Sequence, residues 1–411
     1  MKNKTISIIG LGYIGLPTLL LVASKNKNCK VIGYDTNLIK INYLNNKKLY
    51  IKEKRLNNLF KNNKNVKFVK NIEESDIYII CVPTPLINNK ADISFVKQAT
   101  TSLVKKLKKN DIVIFESTVP AGTTNQMIKL IKSMRPDLKM PLDYYSTSDI
   151  NVAYCPERVL PGNIINELIN NDRIVGSLNL SSAKKIKLFF SSFVKGKIHL
   201  TDILTAELSK LAENSFRDVN ISFANEIANV CEKVGVDHNK VIELSNQHPR
   251  VNILKPGIGV GGHCIAVDPI FLIETDKSLK LIKEARKLNN QRPKKFISII
   301  NNIINSEPKK KIKVSFLGIT YKPNVDDMRE SPAIEILKGI KKKKNVKMFY
   351  VEPNIKLPLK LLNDLNFEKI STQEAIKSSD LIFLLVGHKF FDKYKGVLEN
   401  MNFYNFCGFA S

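Results

Sequence analysis

The sequence predicts an α/β protein with two doubly wound domains, each a parallel sheet with crossover helices, joined by a long central helix. Short apolar runs alternate with helical segments in the N-terminal half and again after about residue 310. This alternation is typical of parallel strands and their crossovers. Residues 205–234 contain neither Gly nor Pro and keep helical periodicity, which predicts the joining helix.

The first element is a β-rich run at residues 5–9, followed by a Gly-x-Gly-x-x-Gly turn at residues 10–15 and an apolar helix-like segment. A second strand at residues 31–34 ends on Asp35, twenty residues after the last glycine of the turn. The glycines admit a pyrophosphate to a helix N-terminus, and the carboxylate accepts the hydroxyls of an adenosine ribose. This order predicts a Rossmann-like dinucleotide-binding domain. An acid rather than an arginine at position 35 favours NAD over NADP.

A signal peptide or membrane span is the alternative interpretation of this region, because residues 5–24 carry no charge and follow Lys2 and Lys4. That alternative leaves the glycine spacing and Asp35 unexplained. The 411 residues, 43% of them hydrophobic, suffice for two or three domains. The six cysteines lie far apart without a CxxC pair or Cys/His cluster, which argues against disulfides and a zinc site. We expect a soluble cytoplasmic enzyme without a metal.

The formal net charge is +27, from 65 Lys plus Arg against 38 Asp plus Glu. Such an excess suits an anionic partner such as nucleic acid, a membrane surface or a nucleotide. Here it is mostly lysine spread along the chain, with local runs at residues 309–311 and 341–344. Without a basic motif interleaved with aromatic residues, we interpret it as solvated surface and expect neither nucleic-acid nor membrane binding.

Polar residues follow three further strand-like runs of the first domain. The runs lie at residues 76–82, 111–115 and 151–154. Thr84, Thr118 and Glu157 come shortly after them. Each alone is an ordinary turn residue, but ligands of open α/β sheets gather at the carboxyl ends of the strands. We therefore expect these three side chains near a cofactor and a substrate.

The predicted central helix carries Lys210, Asn214 and Arg217 at spacings of four and three. These spacings place the three side chains on one helix face. From the spacing alone, a solvated polar stripe is the ordinary interpretation of such a trio.

A glycine-rich loop follows the helical region, with four glycines in residues 257–262. Cys264 lies two positions after the last of these glycines, and Asp268 lies four positions further on. Glycine permits close backbone approach to a ligand, so this density beside a potential nucleophile indicates a tight pocket around a reacting carbon. The alternative is a flexible loop with an inert, buried cysteine.

The strand pattern returns in the C-terminal part of the chain. The runs lie at residues 312–317, 346–351 and 381–386. They predict a second nucleotide-binding type of α/β domain.

Six segments occur in an order typical of one enzyme family and cover nearly the whole chain. They are GLGYIGLPT from Gly10, ESTVPAGTT from Glu116, NVAYCPERVLPG from Asn151, KLAENSFRDVNISFANE from Lys210, HPRVNILKPGIGVGGHCIAVDP from His248 and YKPNVDDMRESPA from Tyr321. With them the chain resembles the UDP-glucose/GDP-mannose dehydrogenase family.

The resemblance implies oxidation of the C6 alcohol of a nucleotide sugar to a carboxylate, with two NAD⁺ and no bound metal. One hydride transfer gives an aldehyde, a cysteine adds to it, and a second gives a thioester that water hydrolyses. UDP-N-acetyl-D-mannosamine is the implied substrate, and its uronate product would feed surface polysaccharide synthesis. UDP-glucose, UDP-N-acetylglucosamine and GDP-mannose are alternative substrates. An alternative of another class is a non-catalytic basic protein that binds NAD.

The resemblance also implies roles for individual residues. Cys264 matches the nucleophile, and Lys210 matches the lysine that assists proton transfer and stabilises the oxyanion. The implied water-ordering carboxylates and their hydrogen-bonding neighbours are Asp268, Glu157, Asn214 and Thr118. The implied NAD contacts are Gly10, Gly12, Tyr13, Ile14, Gly15, Asp35, Thr84, Thr118 and Arg329. The implied substrate contacts are Arg158, Val159, Lys210, Asn214, Arg217, His248, Arg250, Gly261, Tyr321 and Lys322.

The implied assembly is a homodimer in which His248 and Arg250 serve the neighbouring subunit's site. We expect an N-terminal NAD-binding Rossmann domain at residues 1–204 and a central helical dimerisation region with the cysteine loop at 205–300. A C-terminal, Rossmann-like UDP-sugar-binding domain is expected at 301–411. His263 is assigned a packing role, because adjacent loop residues seldom face each other.

Overall fold

The computed structural model of the protein describes residues 3–51, 53, 55–141, 143, 146–159, 162–309, 311–341, 343–355 and 358–407. The chain divides into two compact units. The first comprises Met1–Glu213 and Ile270–Lys277, and the second comprises Asn214–Pro269 and Ser278–Ser411. None of the helices in the described ranges combines the length and hydropathy needed to cross a bilayer. The predicted division into three segments is not tested by this clustering and stays a prediction.

The first unit is built on a mostly parallel sheet. Its strands are β1 Thr5–Ile9, β2 Lys30–Tyr34, β3 Val66–Val69, β4 Ile77–Ile80, β7 Ile112–Phe115, β8 Asn151–Tyr154, β9 Arg173–Gly176 and β10 Ile198–Thr201, with a small hairpin of β5 Leu86–Ile87 and β6 Lys90–Ala91. The eight-stranded order is β10-β9-β8-β7-β4-β1-β2-β3. Within the described residues of this eight-stranded sheet, the β8–β9 pairing is antiparallel and the other pairings are parallel. The switch point between β1 and β4 is where such sheets bind nucleotides.

Helices cover both faces of this sheet. They are α1 Gly15–Lys25, α2 Leu38–Asn45, α3 Leu56–Asn62, α4 Ser94–Val104, α5 Thr123–Met134, α6 Ile164–Asn170 and α7 Leu180–Phe190. Ile8 packs in one apolar cluster and Ile9 in the other, because successive strand residues point to opposite faces. Burial on both faces also explains why β4, with the sequence IYII, is apolar and buried at every position rather than alternating.

The predicted long helix is confirmed as α8, Ile203–Val234, with 32 residues. It starts in the first unit and continues into the second. The helices that follow are α9 His238–Ser245, α10 Asp268–Thr275 and α11 Lys280–Ser306.

The second unit holds a five-stranded parallel sheet. Its strands are β11 Ile312–Leu317, β12 Val346–Val351, β13 Phe367–Lys369, β14 Leu381–Leu384 and β15 Phe403–Asn405, and its helices are α12 Pro332–Gly339, α13 Lys360–Asp364, α14 Thr372–Ser378, α15 Lys389–Asp392 and α16 Lys395–Leu398. The order is β13-β12-β11-β14-β15, with every pairing parallel. Phe316, Phe383 and Tyr404 stack in its core. The predicted fold class, two doubly wound Rossmann-like domains joined by a long helix, is confirmed.

Candidate active site

The glycine turn after β1 needs glycine for steric reasons at two of its three positions. Gly10 has φ +92°, and a Cβ there would lie 2.5 Å from the Cys81 carbonyl oxygen. A Cβ on Gly15 would lie 1.8 Å from the Gly10 oxygen, so the first turn of α1 packs against the loop only without a side chain. At Gly12 a Cβ would meet nothing within 4 Å. The middle glycine therefore borders open space at a helix N-terminus, where a pyrophosphate fits.

The Asp35 carboxylate is held rigidly at the end of β2. Its Oδ2 accepts a hydrogen bond from Leu11 N at 2.9 Å, and its Oδ1 accepts one from Asn37 N at 2.8 Å. Lys40 Nζ lies 3.1 Å from Oδ2. Lys40 was missed in the sequence analysis. Its position in the first turn of α2, five residues after Asp35, could have indicated this ion pair. Tyr13 and Ile14 lie in the turn just before α1.

Two of the predicted strand-end residues meet directly. Thr84 Oγ1 donates a 2.6 Å hydrogen bond to the Thr118 carbonyl oxygen. Next to Thr118, Ser117 Oγ donates to the Val82 carbonyl oxygen at 2.7 Å. The ends of β4 and β7 are thus tied together at the edge where the cofactor turn also lies.

Glu157 and Lys210 are electrostatically coupled within the first unit. Burial raises the pKa of Glu157 to about 7, while the cations Lys210 and Arg173 act in the opposite direction. Glu157 Oε1 is buried without a hydrogen-bond partner among the described residues. Arg173 Nη1 in turn pairs with Glu116 Oε1 at 2.8 Å, both side chains being almost fully buried. A carboxyl group with this pKa can take and release a proton near neutral pH.

Glu207 fixes the start of α8 against the loop before α5. Its two carboxylate oxygens accept hydrogen bonds from Gly122 N at 2.6 Å and Thr124 N at 2.9 Å. Because Lys210 is one turn further along α8, this contact also sets the position of its backbone.

Arg158, predicted to bind substrate, contacts protein groups in this structure. Its Nη2 lies 2.7 Å from Glu213 Oε1, and its Nη1 donates to the Asp172 carbonyl oxygen at 3.2 Å. The adjacent Val159 packs against the apolar cluster of α1. Leu160 and Pro161 of the same motif lie outside the described residues.

In the second unit, Asn214 and Asp268 form a buried pair. Asn214 Nδ2 donates to Asp268 Oδ2 at 2.5 Å. Asp268 begins α10, and its N–H and that of Val267 donate to the Cys264 carbonyl oxygen at 2.9 and 3.0 Å. Cys264 is therefore held in the turn that leads into α10, and it is exposed rather than buried. The inert, buried cysteine considered from the sequence is not what the structure contains.

The glycine-rich loop is close-packed against the segment that follows β11. A Cβ on Gly261 would lie 2.2 Å from the Glu330 carbonyl oxygen. Gly262 has φ +84°, and a Cβ there would lie 2.6 Å from the Tyr321 ring. Lys322 Nζ lies 5.6 Å from the centroid of the same ring. The loop thus brings Gly261, Tyr321 and Lys322 of the predicted substrate set together.

Buried polar groups of α8 and α11 also hold the cysteine loop. Arg286 Nη1 pairs with Asp218 Oδ1 at 2.6 Å and lies 3.3 Å from the carbonyl oxygen of Ile265, the residue after Cys264. At the other end of the loop, Gly257 N donates to Asn225 Oδ1 at 2.9 Å. These residues are far apart in the chain, and sequence reasoning missed them.

Other predicted residues have local partners or face solvent. Arg329 forks onto Asp327, with Nη2 2.6 Å from Oδ2 and Nε 2.9 Å from Oδ1. His263 Nε2 is 3.9 Å from the same Asp327 carboxylate. Burial lowers the pKa of His263, and the nearby Arg329 adds to that effect. Arg217, His248 and Arg250 are exposed. No group of three His, Cys, Asp or Glu side chains suited to a metal ion occurs in the described part of the chain.

Three family profiles match the chain in succession. The NAD-binding domain of the UDP-glucose/GDP-mannose dehydrogenase family matches residues 4–194, its central domain 204–291 and its UDP-binding domain 315–405. The chain belongs to the UDP-glucose/GDP-mannose dehydrogenase family. It is an NAD-dependent nucleotide-sugar dehydrogenase, as the sequence resemblance implied, rather than a non-catalytic protein.

Individual relatives of this family are similar over their whole lengths. A UDP-N-acetyl-D-mannosamine dehydrogenase from Campylobacter jejuni is 42% identical, covering 95% of this chain and 96% of its own. An NDP-N-acetyl-D-galactosaminuronic acid dehydrogenase from Ralstonia nicotianae is 40% identical, covering 95% and 92%. The solved UDP-N-acetyl-mannosamine dehydrogenase from Staphylococcus aureus has a TM-score of 0.84 at 34% identity, covering 98% of each chain.

Proposed function

We propose that this dehydrogenase oxidises the C6 alcohol of UDP-N-acetyl-D-mannosamine to the carboxylate of UDP-N-acetyl-D-mannosaminuronate, reducing two NAD⁺. The names and identity of the relatives support this substrate. The observation that supports four-electron chemistry is the exposed Cys264 in a turn tied to the buried Asn214–Asp268 pair. A simple alcohol oxidation needs no nucleophile, whereas oxidation of a retained aldehyde does.

The reaction divides into two oxidations and a hydrolysis. The C6 hydroxyl proton would pass to a base as the C6 hydride passes to bound NAD⁺, which gives the aldehyde. The Cys264 thiol then adds to C6, its proton passes to the carbonyl oxygen, and Lys210 stabilises the negative charge that develops on that oxygen. This thiohemiacetal would lose its hydroxyl proton to a base and its C6 hydride to a second NAD⁺, which gives the thioester. Water attacks C6, the C–S bond breaks, and the thiol regains a proton.

The hydrolysis step needs groups that orient water and remove its proton. Glu157, with a pKa of about 7, serves as the proton acceptor in this proposal. In this proposal the paired side chains of Asp268 and Asn214 order the water, and Thr118 offers that water a further hydrogen bond.

The remaining predicted site residues bind the two substrates in this proposal. The cofactor contacts are Gly10, Gly12, Tyr13, Ile14, Gly15, Asp35, Thr84, Thr118 and Arg329. The sugar-nucleotide contacts are Arg158, Val159, Lys210, Asn214, Arg217, His248, Arg250, Gly261, Tyr321 and Lys322. Several cations in the second set suit a pyrophosphate.

The proposal includes a homodimer. Phe216, Phe223 and Val230 of α8 are 62%, 48% and 56% exposed. Their seven-residue spacing is two helical turns, so they form one apolar stripe, which a second copy of the chain could bury. His248 and Arg250 lie on an exposed segment, and Arg250 N lies 3.4 Å from His248 Nδ1. In the proposed dimer this segment serves the partner's site.

We also propose the roles of the three predicted segments: cofactor binding by residues 1–204, dimerisation and the nucleophile by 205–300, and sugar-nucleotide binding by 301–411. The enzyme would work in the cytoplasm, where nucleotide sugars are made, and its uronate would supply a surface polysaccharide.

A substrate panel with an NADH readout tests the proposal. The kcat/KM for UDP-N-acetyl-D-mannosamine should be higher than that for UDP-glucose, UDP-N-acetylglucosamine or GDP-mannose. Each sugar should yield two NADH and one uronate, with little aldehyde trapped by an added amine. One NADH per sugar with a free aldehyde product would overturn the four-electron reaction. The relative from Ralstonia nicotianae makes an N-acetylgalactosamine nucleotide the second candidate, so that sugar belongs in the panel.

A further inference from the structure

The carboxyl ends of β11, β12 and β14 hold a buried imidazole against a buried carboxylate. The side chains of His388 and Glu352 are each 0% exposed, and His388 Nε2 lies 3.0 Å from Glu352 Oε2. The same carboxylate accepts hydrogen bonds from Ile319 N at 2.9 Å and Asn354 N at 2.8 Å. Burial acts to raise the pKa of Glu352, but the hydrogen bond from His388 and the backbone donors outweigh it and leave that pKa below its ordinary value.

The other ring nitrogen of His388 fixes its protonation state. Asn324 N lies 2.8 Å from His388 Nδ1, and a backbone N–H can only donate. Asn354 Nδ2 lies 2.9 Å from the same nitrogen. His388 Nδ1 is therefore an acceptor without a proton, and the ring proton is on Nε2, directed at Glu352. A neutral His388 thus links Glu352 to the backbone of Asn324.

This link secures the segment that carries Tyr321 and Lys322. The start of the segment is held by Ile319 N on Glu352, and its end by Asn324 N on His388. Between them, Thr320 Oγ1 donates to the Lys322 carbonyl oxygen at 2.9 Å. Asn324 itself has φ +62°, a left-handed conformation that asparagine adopts more readily than most residues.

We propose that neutral His388 is a positioning residue for nucleotide-sugar binding, because its Nδ1 fixes the backbone segment that presents Tyr321 and Lys322. The inference rests on the proposed function, which assigns these two residues to the sugar nucleotide. The charged groups that face His388 are Glu352 and, beside that carboxylate, Lys369. Thr320, Asn324, Asn354 and Phe391 are its uncharged neighbours.

Two substitutions separate the two functions of the ring. His388→Asn keeps an acceptor near the position of Nδ1, whereas His388→Gln keeps a donor near the position of Nε2. Ser379→Ala is the matched control, because Ser379 Oγ pairs with Ser315 Oγ at 2.6 Å in the same unit without touching the segment. KM for UDP-N-acetyl-D-mannosamine, KM for NAD⁺, kcat and the melting temperature are measured for each. Binding of UDP by calorimetry gives a readout independent of turnover.

We expect His388→Gln to raise the sugar KM and the UDP Kd about tenfold and His388→Asn by less than about threefold. NAD⁺ KM should not change in either variant or in the control. A wild-type sugar KM in His388→Gln would overturn the inference. If the sugar KM rises equally in both His388 variants, and in proportion to the fall in their melting temperatures, His388 has only a structural role. That result would also overturn the inference.

Lys322→Ala distinguishes a failure of the substrate assignment of this segment from a failure of the role proposed for His388. If it leaves the sugar KM unchanged, the substrate assignment of the segment fails and the inference fails with it. If it raises the sugar KM while His388→Gln does not, the inference alone fails.

Discussion

The two sheets end in the same backbone arrangement but use it differently. After β1, Gly10 N donates to the Tyr34 carbonyl oxygen at 2.8 Å, and Leu11 N donates to Asp35. After β11, Gly318 N donates to the Val351 carbonyl oxygen at 2.9 Å, and Ile319 N donates to Glu352. Both glycines have positive φ, +92° and +79°. An acid at the end of the second strand therefore holds the turn in each unit.

The difference lies in what approaches the acid next. Asp35, whose side chain is 8% exposed, has the partly exposed cation Lys40 beside it, whereas Glu352 has the fully buried His388. The Asp35 carboxylate therefore keeps a small exposed surface, whereas the Glu352 carboxylate is sealed into the protein interior. An acid at this place in a Rossmann-like sheet therefore indicates how the turn is held. The other neighbours of that acid indicate whether the turn is a nucleotide site.

Cys264→Ser should have the strongest effect of these substitutions, and it should impair the chemistry of the second unit without affecting the cofactor site of the first. This substitution should lower net turnover by at least about 1000-fold, since a serine hydroxyl at this position cannot replace the cysteine sulfur as the nucleophile. NAD⁺ affinity, measured by calorimetry, should stay within about twofold because Asp35 and its turn are untouched. Turnover close to that of the wild type would refute the covalent mechanism.

Glu157→Gln should act from the first unit with a smaller effect, a loss of about 100-fold in kcat. The carboxyl group must be ionised to accept a proton, so wild-type activity should rise with pH through about 7. Gln cannot titrate, so this acid limb should disappear in the variant, and a burst of NADH with a mass adduct on Cys264 should appear. An unchanged acid limb would assign the titration to another group.

Asp35→Ala tests the cofactor site of the first unit directly. The carboxylate repels a 2′-phosphate, so its removal should narrow the preference for NAD⁺ over NADP⁺ in kcat/KM by about tenfold. Glu352→Gln is the matched change in the sealed site, and it should lower the melting temperature while leaving cofactor preference alone. Equal use of both cofactors by the wild type would contradict the role of Asp35.

Lys40→Ala should change the preference for NAD⁺ over NADP⁺ only slightly, and in the opposite direction to Asp35→Ala. Lys40 partly neutralises Asp35, so its loss should widen the preference for NAD⁺ by about two- to threefold, in keeping with a partly exposed ion pair. The ratio of kcat/KM values for the two cofactors, compared at low and moderate salt, measures it. A narrowed preference would show that Lys40 acts on the cofactor otherwise than through the charge of Asp35.

Much of the fold could be read from the sequence because its signals are local. The runs at residues 5–9 and 312–317 are strands in the structure, and the Gly- and Pro-free segment is α8. The same holds for Gly15, where a Cβ would meet the Gly10 oxygen of the same turn. Asn214 and Asp268 also came from motifs, and the structure pairs them.

The residues that were missed act over long distances in the chain. Glu352 and His388 are 36 positions apart, and Glu116 and Arg173 are 57 apart. Their partnership depends on which strands are neighbours and in what register, and neither property is encoded near either residue. A single buried His or Arg carries no sequence signal of its own, so only the assembled sheet reveals it.

The uneven exposure of the thiols makes the enzyme sensitive to oxidants at one point. Burial raises the pKa of Cys155 and Cys407 to about 12 and that of Cys81 well above its ordinary value. Cys264 alone among the cysteines in the described residues is exposed. Peroxide or an alkylating reagent should therefore reach the nucleophile first, and one equivalent should suffice to inactivate a subunit. An enzyme built to hold an aldehyde on sulfur thus loses its activity, reversibly at the sulfenic acid stage, when its surroundings become oxidising.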